Sequence, residues 1–208
     1  MAASVLHALG RADEIEPRLG PVVGEGMAAG VRQMLDKHLN CPLTSSAGRW
    51  FDAAAAALGL CYSQEDEAQA AIALEQAAAR ALLLQPDLPA LSGAVIGADG
   101  VIDLRPLLAH LSAATETDTA AAGFHLALAD ALASALINAA TQRQTCSAAL
   151  GGGCFFNRIL RERLIQRLSA AGLAVYLPGP QGCGDAGLAI GQAWVAAQQL
   201  AAPARENV

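Results

Sequence analysis

Three stretches of the sequence carry residue types that could do chemistry. In Gly151-Gly152-Gly153-Cys154-Phe155-Phe156-Asn157-Arg158, three glycines stand between an apolar run and a helical pattern. Glycines let the backbone approach a ligand closely, and the free N–H groups of a helix start attract negative charge, so a phosphate suits the place. The spacing is neither a Walker loop nor G-x-G-x-x-G, and a tight strand-to-helix turn explains it equally well. Asn157 suits capping and ligand binding with equal ease. A second stretch, Gln181 to Gln192, sets Asp185 among Gly182, Gly184 and Gly187 at a strand-to-helix junction. A carboxylate there coordinates a cation or holds a ribose, though more often it caps the helix. The third, Thr44 to Ala54, holds Gly48, Arg49 and Asp52 beside three hydroxyls. Arg49 and Asp52 lie three apart on a helix and can simply pair, but the cluster is dense for mere capping.

The other polar residues point to less. His125 falls on the apolar side of a long helix and reads as a hydrogen-bonded core histidine. His7, His38 and His110 are isolated, without metal-ligand spacing. Arg158, Arg161, Arg163 and Arg167 make one basic helix face, either solvated or a docking surface for an acidic partner. No Ser-His-Asp or Cys-His arrangement follows from spacing, so no catalytic residue is assigned.

The elements that position these residues follow from periodicity. Gly10, Pro17, Gly20 and Pro21 mark residues 1–20 as a frayed lead-in. Helical spacing then runs from Val22 to Leu39, with Met27, Val31 and Met34 on its apolar side, and Pro42 stops it. A second helix starts at Thr44–Ser46 and ends near Leu58; a third covers Glu65 to Leu83. Asp99-Gly100 predicts a hairpin turn between Ala94–Ile96 and Val101–Ile102. From Thr119 to Thr141 one helix carries Phe124, Leu128, Leu132 and Leu136 four apart and should cross the core. Ser147–Leu150 as strand, Phe156–Ala171 as helix capped by Gly172, Leu173–Leu177 as strand and a last helix from about Asp185 imply a parallel α/β unit.

Composition bounds the partners. With 54% hydrophobic and 15% charged residues among 208, the chain is folded rather than disordered. Aromatics are 4% and alanine abounds, which predicts closely packed helices. A net charge of −6 is the wrong sign for nucleic acid. Five cysteines with no C-x-x-C pair suggest neither a disulfide framework nor a zinc site, and fit a reducing cytoplasm. Residues 1–13 lack a signal-peptide pattern. Ala186 to Ala204 is chargeless, but Gln192, Gln198, Gln199 and Pro203 would be costly in lipid. That stretch reads as a buried helix, and no membrane partner is expected.

Taken together, the three stretches resemble the C-terminal part of the HypF carbamoyltransferase family of nickel–iron hydrogenase maturation proteins. Pro42 to Ala53 followed by Ala57-Leu58-Gly59-Leu60 is similar to the family's T-S-S-x-G-R-L-F-D-A…L-G-L. Glu67-Ala68-Gln69-Ala70-Ala71 with Leu74-Glu75 resembles E-G-Q-A-A…L-E. Gly152 to Arg158 resembles G-G-V-F-Q-N-R, Gly184 to Gln192 resembles G-D-G-G-I-A-L-G-Q, and Phe124-His125 falls on an F-H. The four motifs occur in order over about 150 residues.

The resemblance implies an α/β, helix-rich fold: the second half of an actin-like, sugar-kinase or heat-shock-ATPase type domain, with a short mixed sheet flanked by helices. Residues 21–208 would be the C-terminal part of the TsaD-like carbamoyltransferase domain. It implies ATP and carbamoyl phosphate as substrates, carbamoyl-adenylate as intermediate, and transfer to the C-terminal cysteine of HypE as acceptor partner. Gly152, Gly153 and Asn157 would line the nucleotide, Gly48 and Asp52 its ribose, and Asp185 would ligate a divalent metal, zinc or iron. The family's upstream histidine pair and adenylate-forming domains, the N-terminal portion of HypF, are absent. The expectation is therefore an ATP-dependent ligase fragment that is inactive alone; the alternative is a non-catalytic nucleotide- or HypE-binding module. Trp50 stands for a leucine, Ala68 and Ala186 for glycines, and Cys154 for a valine.

Overall fold

The computed structural model describes residues 1–179 and 184–201. Its elements are helices α1 (Ala2–Ala8), α2 (Ile15–Val23), α3 (Glu25–Asp36), α4 (Ala47–Ala57) and α5 (Gln69–Leu84). Strands β1 (Val95–Ile96) and β2 (Ile102–Asp103) precede α6 (Arg105–Leu111) and α7 (Thr117–Arg143). Then come β3 (Ser147–Ala149), α8 (Arg158–Ala170), β4 (Ala174–Tyr176) and α9 (Leu188–Ala201). Short 3-10 turns occupy Ala12–Glu14, Gly153–Phe156 and Asp185–Gly187.

The alanine bias shapes the core. On α5 the buried face is Ala70, Leu74, Ala77, Ala78 and Ala81; α7 meets it with Ala120, Ala121, Phe124 and Leu128. Short side chains let the two helices approach closely, and the larger volume comes from Phe51 and Phe124, edge to face with ring centroids 5.7 Å apart. The same helix crosses into a second cluster, where Ala133 packs with Leu164 and Leu168 of α8 and Leu150 after β3. At 27 residues and a mean hydropathy of 1.6 it is long and apolar enough to span a membrane, but 67% of that window lies inside the molecule, as the core-crossing role requires.

Sheet structure is small. β1 and β2 pair antiparallel, Val95 opposite Asp103, around Asp99-Gly100, where the Asp99 side chain accepts from the Val101 N–H. β3 and β4 pair in parallel, with Ala148 opposite Val175, and α8 forms the crossover. The expected mixed sheet is thus two separate two-stranded ladders among the described residues. α8 closes where Gly172 was expected to cap it: Gly172 N–H donates to Ser169 O and Leu173 N–H to Leu168 O.

The structure differs from the sequence expectation in four places. Residues 1–20 are no frayed lead-in but carry α1 and most of α2, with Ile15 fully buried against Leu6 and Leu19. Pro17 sits in the first turn of α2, where a missing N–H costs nothing. The helix read from Val22 to Leu39 is broken at Gly24, whose φ of +96° disfavours any side chain, and Met27, Val31 and Met34 are exposed rather than inward. α5 begins four residues late because Glu65 to Ala68 form a turn, held by the Glu65 N–H donating to the Gln69 side chain, with Ala68 left-handed at φ +60°. Finally, α9 is not buried: Leu188, Ile190, Trp194 and Val195 are each more than half exposed.

Two outcomes test these assignments by urea unfolding. Ile15→Ala is expected to cost about 2–4 kcal/mol, a loss that a frayed lead-in would not produce. Ala68→Gly, which relieves a left-handed alanine, is expected to stabilise the chain by about 0.5–1 kcal/mol.

Candidate functional site

Both parallel strands end in glycine-bearing loops, and the two loops meet. After β3 the chain runs through Gly151–Gly153 into the 3-10 turn; after β4 it passes Pro178 and returns at Gly184-Asp185 into α9. Gly152, Gly153, Pro178, Gly184, Asp185 and Gly191 line one open cleft of about 720 Å³. That is the size range of small-molecule sites, at the carboxyl ends of parallel strands where α/β folds bind ligands. Phe156, expected to point inward, is 62% exposed and reaches across between the loops: a Cβ at Gly184 would fall 2.9 Å from its ring. Gln181, Gly182 and Cys183 lie outside the described residues.

The glycines at 151–153 are not explained by contacts with the described residues. A Cβ at any of the three would meet nothing within 4 Å, and only Gly152, with φ +107°, needs glycine for its backbone. At the start of α8, by contrast, the Arg158 and Leu160 N–H groups already have partners. The Asn157 Oδ1 accepts from the Leu160 N–H at 2.9 Å, and Glu75 Oε1, reaching over from α5, accepts from the Arg158 N–H at 2.6 Å. An anion in the cleft therefore meets the glycine loop, not the helix end, where the chain has placed its own carboxylate.

Asn157 is 7% exposed and engaged at both ends, because its Nδ2 donates to His125 Nε2 at 2.9 Å. Its place in the structure is that of a cap. His125 is fully buried, as a core histidine should be, and its Nδ1–H donates to the Ala121 carbonyl at 2.8 Å. Phe51 and Phe124 pack on its ring, with centroids 5.4 and 6.0 Å away.

The α4 stretch lies beside the glycine loop: the Gly48 Cβ position is 4.0 Å from Cys154 Sγ. Burial pushes the Cys154 thiol above its ordinary value, opposed by the Gly48 backbone and the Arg49 charge. Arg49 Nη1 is 3.0 Å from Asp52 Oδ2, the pair anticipated from their spacing. The approach is not aligned as a hydrogen bond, so Oδ2, buried with its side chain 10% exposed, lacks a donor. The structure thus sets Gly48 beside Cys154 of the loop, while Gly152, Gly153 and Asp185 line the cleft and Gly48 and Asp52 are not among its described lining residues.

One expectation changes. The arginines of α8 are not one free basic face: Arg163 and Arg167 both pair with Asp130, and Arg161 donates to the Phe155 carbonyl. Asp185 is exposed, and among the described residues no three His, Cys, Asp or Glu side chains group closely enough to hold a metal ion. One carboxylate does not fit a metal by itself. Sequence reasoning missed the Glu75 cap and the His125–Asn157 bond, which join residues 83 and 32 apart. Glu75 and His125 stood in recognised motifs, but spacing gave no sign of the contacts.

Comparison with known proteins gives consistent matches. The family described as "Carbamoyltransferase, Kae1-like Domain, second subdomain" matches residues 1–192. A "Carbamoyltransferase HypF homolog" of Cupriavidus necator is 51% identical over 205 residues, covering 96% of this chain and 52% of that protein. "Carbamoyltransferase HypF2" of the same organism is 39% identical over 223 residues, covering 96% of this chain and 27% of its own length. A crystal structure of full-length HypF "in the phosphate- and nucleotide-bound form" superposes with a TM-score of 0.80 at 26% identity, covering 98% of this chain and 27% of that one. The chain therefore spans between about a quarter and about half of these three proteins.

The buried imidazole makes stability depend on pH. Burial holds His125 down at about 4, against the opposing effect of its bond to Ala121, while in the unfolded chain it titrates at 6.5. Between these values the unfolded chain binds a proton that the folded chain refuses, so stability falls as pH drops from about 6.5 to 4 and then levels off. Glu14, held near 2 by Arg11, acts only below its ordinary 4.5. Unfolding free energies from pH 7 to 4 are expected to lose about 3 kcal/mol from this histidine, a slope that His125→Phe removes.

Proposed function

The chain belongs to the HypF carbamoyltransferase family, whose role is in hydrogenase maturation, and from that premise we propose that it supplies one side of a carbamoyl-transfer site. In this reading the acceptor is the thiol of the C-terminal cysteine of HypE, and the donor is carbamoyl-adenylate made from ATP and carbamoyl phosphate. The thiolate sulfur bonds to the carbamoyl carbon as the bond from that carbon to the AMP phosphate oxygen breaks, and AMP leaves with the electron pair. The observation that carries the proposal is the cleft where Gly152, Gly153 and Asp185 converge. Backbone donors at the two glycines suit the phosphate on which negative charge grows as AMP departs. Gly48, beside Cys154 of the loop, and Asp52, now paired with Arg49, would meet the ribose in this reading. Asn157 shapes the loop from behind. Asp185 would serve as one ligand of a divalent metal, zinc or iron, only with histidines supplied from outside the chain.

The exposed α9 supports the view that this side works with another. A helix with apolar residues around its whole circumference belongs in an interior, yet here Leu188, Ile190, Trp194 and Val195 face solvent. Relatives twice to four times as long carry the polypeptide that could cover it. A reducing, cytoplasmic setting is in keeping with four free cysteines among the described residues.

The test is reconstitution. Mixing this chain with the N-terminal portion of a HypF relative is expected to shift Trp194 fluorescence to the blue and to give ATP- and carbamoyl-phosphate-dependent carbamoylation of HypE, read by mass. Gly153→Val, at a position with ordinary φ and open space, should preserve folding and lower the rate about tenfold or more. A properly associated pair that binds ATP but transfers nothing would leave only the binding-module reading; one that binds neither ATP nor HypE defeats both.

A further inference from the structure

We propose that His125 is a positioning residue of the cleft: it fixes the orientation of the Asn157 amide and, through it, the aim of the glycine loop. The inference rests on the reading of that loop as a nucleotide site, but its structural part stands on the hydrogen bonds alone.

A side-chain amide has two orientations related by a half turn, and they differ in what each end offers. At Asn157 only one works, because the Leu160 N–H needs an oxygen. The choice is enforced from the other end. The Ala121 carbonyl, one turn back on α7, can only accept, so it takes the Nδ1 proton of His125 and leaves Nε2 as an acceptor. That nitrogen receives an NH2 group and rejects an oxygen, so the Asn157 amide is held with Oδ1 toward α8. The other tautomer would present a donor, favour the flipped amide and set an NH2 group against the Leu160 N–H.

The constraint reaches the loop through the Asn157 backbone, whose N–H donates to the Cys154 carbonyl at 3.2 Å, inside the turn that begins at Gly153. The Phe155 N–H in turn donates to the Gly152 carbonyl. Rotation of Asn157 would therefore move the peptide units of the loop. Among the described residues His125 and Asn157 are the two buried polar side chains, and both are spent at this one place. Phe51 and Phe124 hold the ring from its sides, which keeps the imidazole from swinging away. His125 itself is fully buried and is not among the described residues that line the cleft.

Two variants and one spectrum test the proposal. His125→Phe keeps the ring packing and removes the acceptor; His125→Gln restores a carbonyl that can accept from Asn157. In the wild-type chain, nitrogen-15 spectra at neutral pH are expected to show Nδ1 protonated and Nε2 bare. His125→Phe should raise amide hydrogen exchange across residues 151–157 while α5 and the middle of α7 keep their protection, and should weaken ATP binding by the reconstituted pair about tenfold. His125→Gln should recover most of both. A protonated Nε2 in the wild type overturns the proposal, as does a folded His125→Phe with unchanged loop exchange. If His125→Phe does not fold, the spectrum and the glutamine variant still decide. If the wild-type pair binds no ATP, the nucleotide reading falls, while spectrum and loop exchange judge the positioning role on their own.

Discussion

The cleft depends on a buried hydrogen-bond chain running from the Ala121 carbonyl through both nitrogens of His125 and both ends of the Asn157 amide to the Leu160 N–H. Each link is directional, and each fixes the next, so the chain has one sense and not the reverse. It ties the middle of α7 to the start of α8 at the point where the loop after β3 turns. Glu75 braces the same helix start from α5. Three helices thereby agree on where the glycine loop begins and ends, and the glycines between are left free to face the open side.

That arrangement divides labour within the loop. The helix start, which elementary electrostatics marks as the natural anion site, is filled by the protein's own groups. The donors left for a ligand belong to the glycines upstream. Phe156, leaning over Gly184, connects the two loops that follow the parallel strands. The ladder beneath them is only three residues on each strand, so the loops take their position from α8 packing on α7 rather than from the sheet.

Much of this was legible in the sequence because it is local. The hairpin at Asp99-Gly100, the long apolar stripe from Phe124 and the capped helix ending at Gly172 each announce themselves within a few residues. The glycine stretches and Asp185 stood out for the same reason, and the structure places them around one cleft. The N-terminal helices were illegible because Pro17, Gly20 and Pro21 are breakers by type, whereas Pro17 falls in the first turn of α2, which tolerates it, and the burial of Ile15 outweighs the weak propensity and the proline inside the helix at Pro21. The cap from Glu75 and the acceptor from His125 were illegible because they cross 83 and 32 residues of chain, and periodicity carries no information over such distances. For α9 the pattern was read correctly as apolar; what it did not contain was the surface that would cover it.

The seam between α5 and α7 shows an asymmetry that belongs to alanine. Ala77, Ala78, Ala121 and Ala122 are fully buried, and α7 is also met by the loop after α5, where the Leu91 N–H donates to the Gly123 carbonyl. A Cβ at Gly123 would already lie 2.5 Å from Leu91 Cγ. The alanines of this seam have little left to lose by deletion and, being fully buried, little room for addition. In a leucine core, damage comes as holes; along this seam it comes as wedges, and each added methyl group pushes apart the two helices that hold Glu75 and His125. The evolutionary freedom of the seam is correspondingly one-sided: residues can drift toward glycine at modest cost, while growth at any one position must be answered by a simultaneous retreat across the interface.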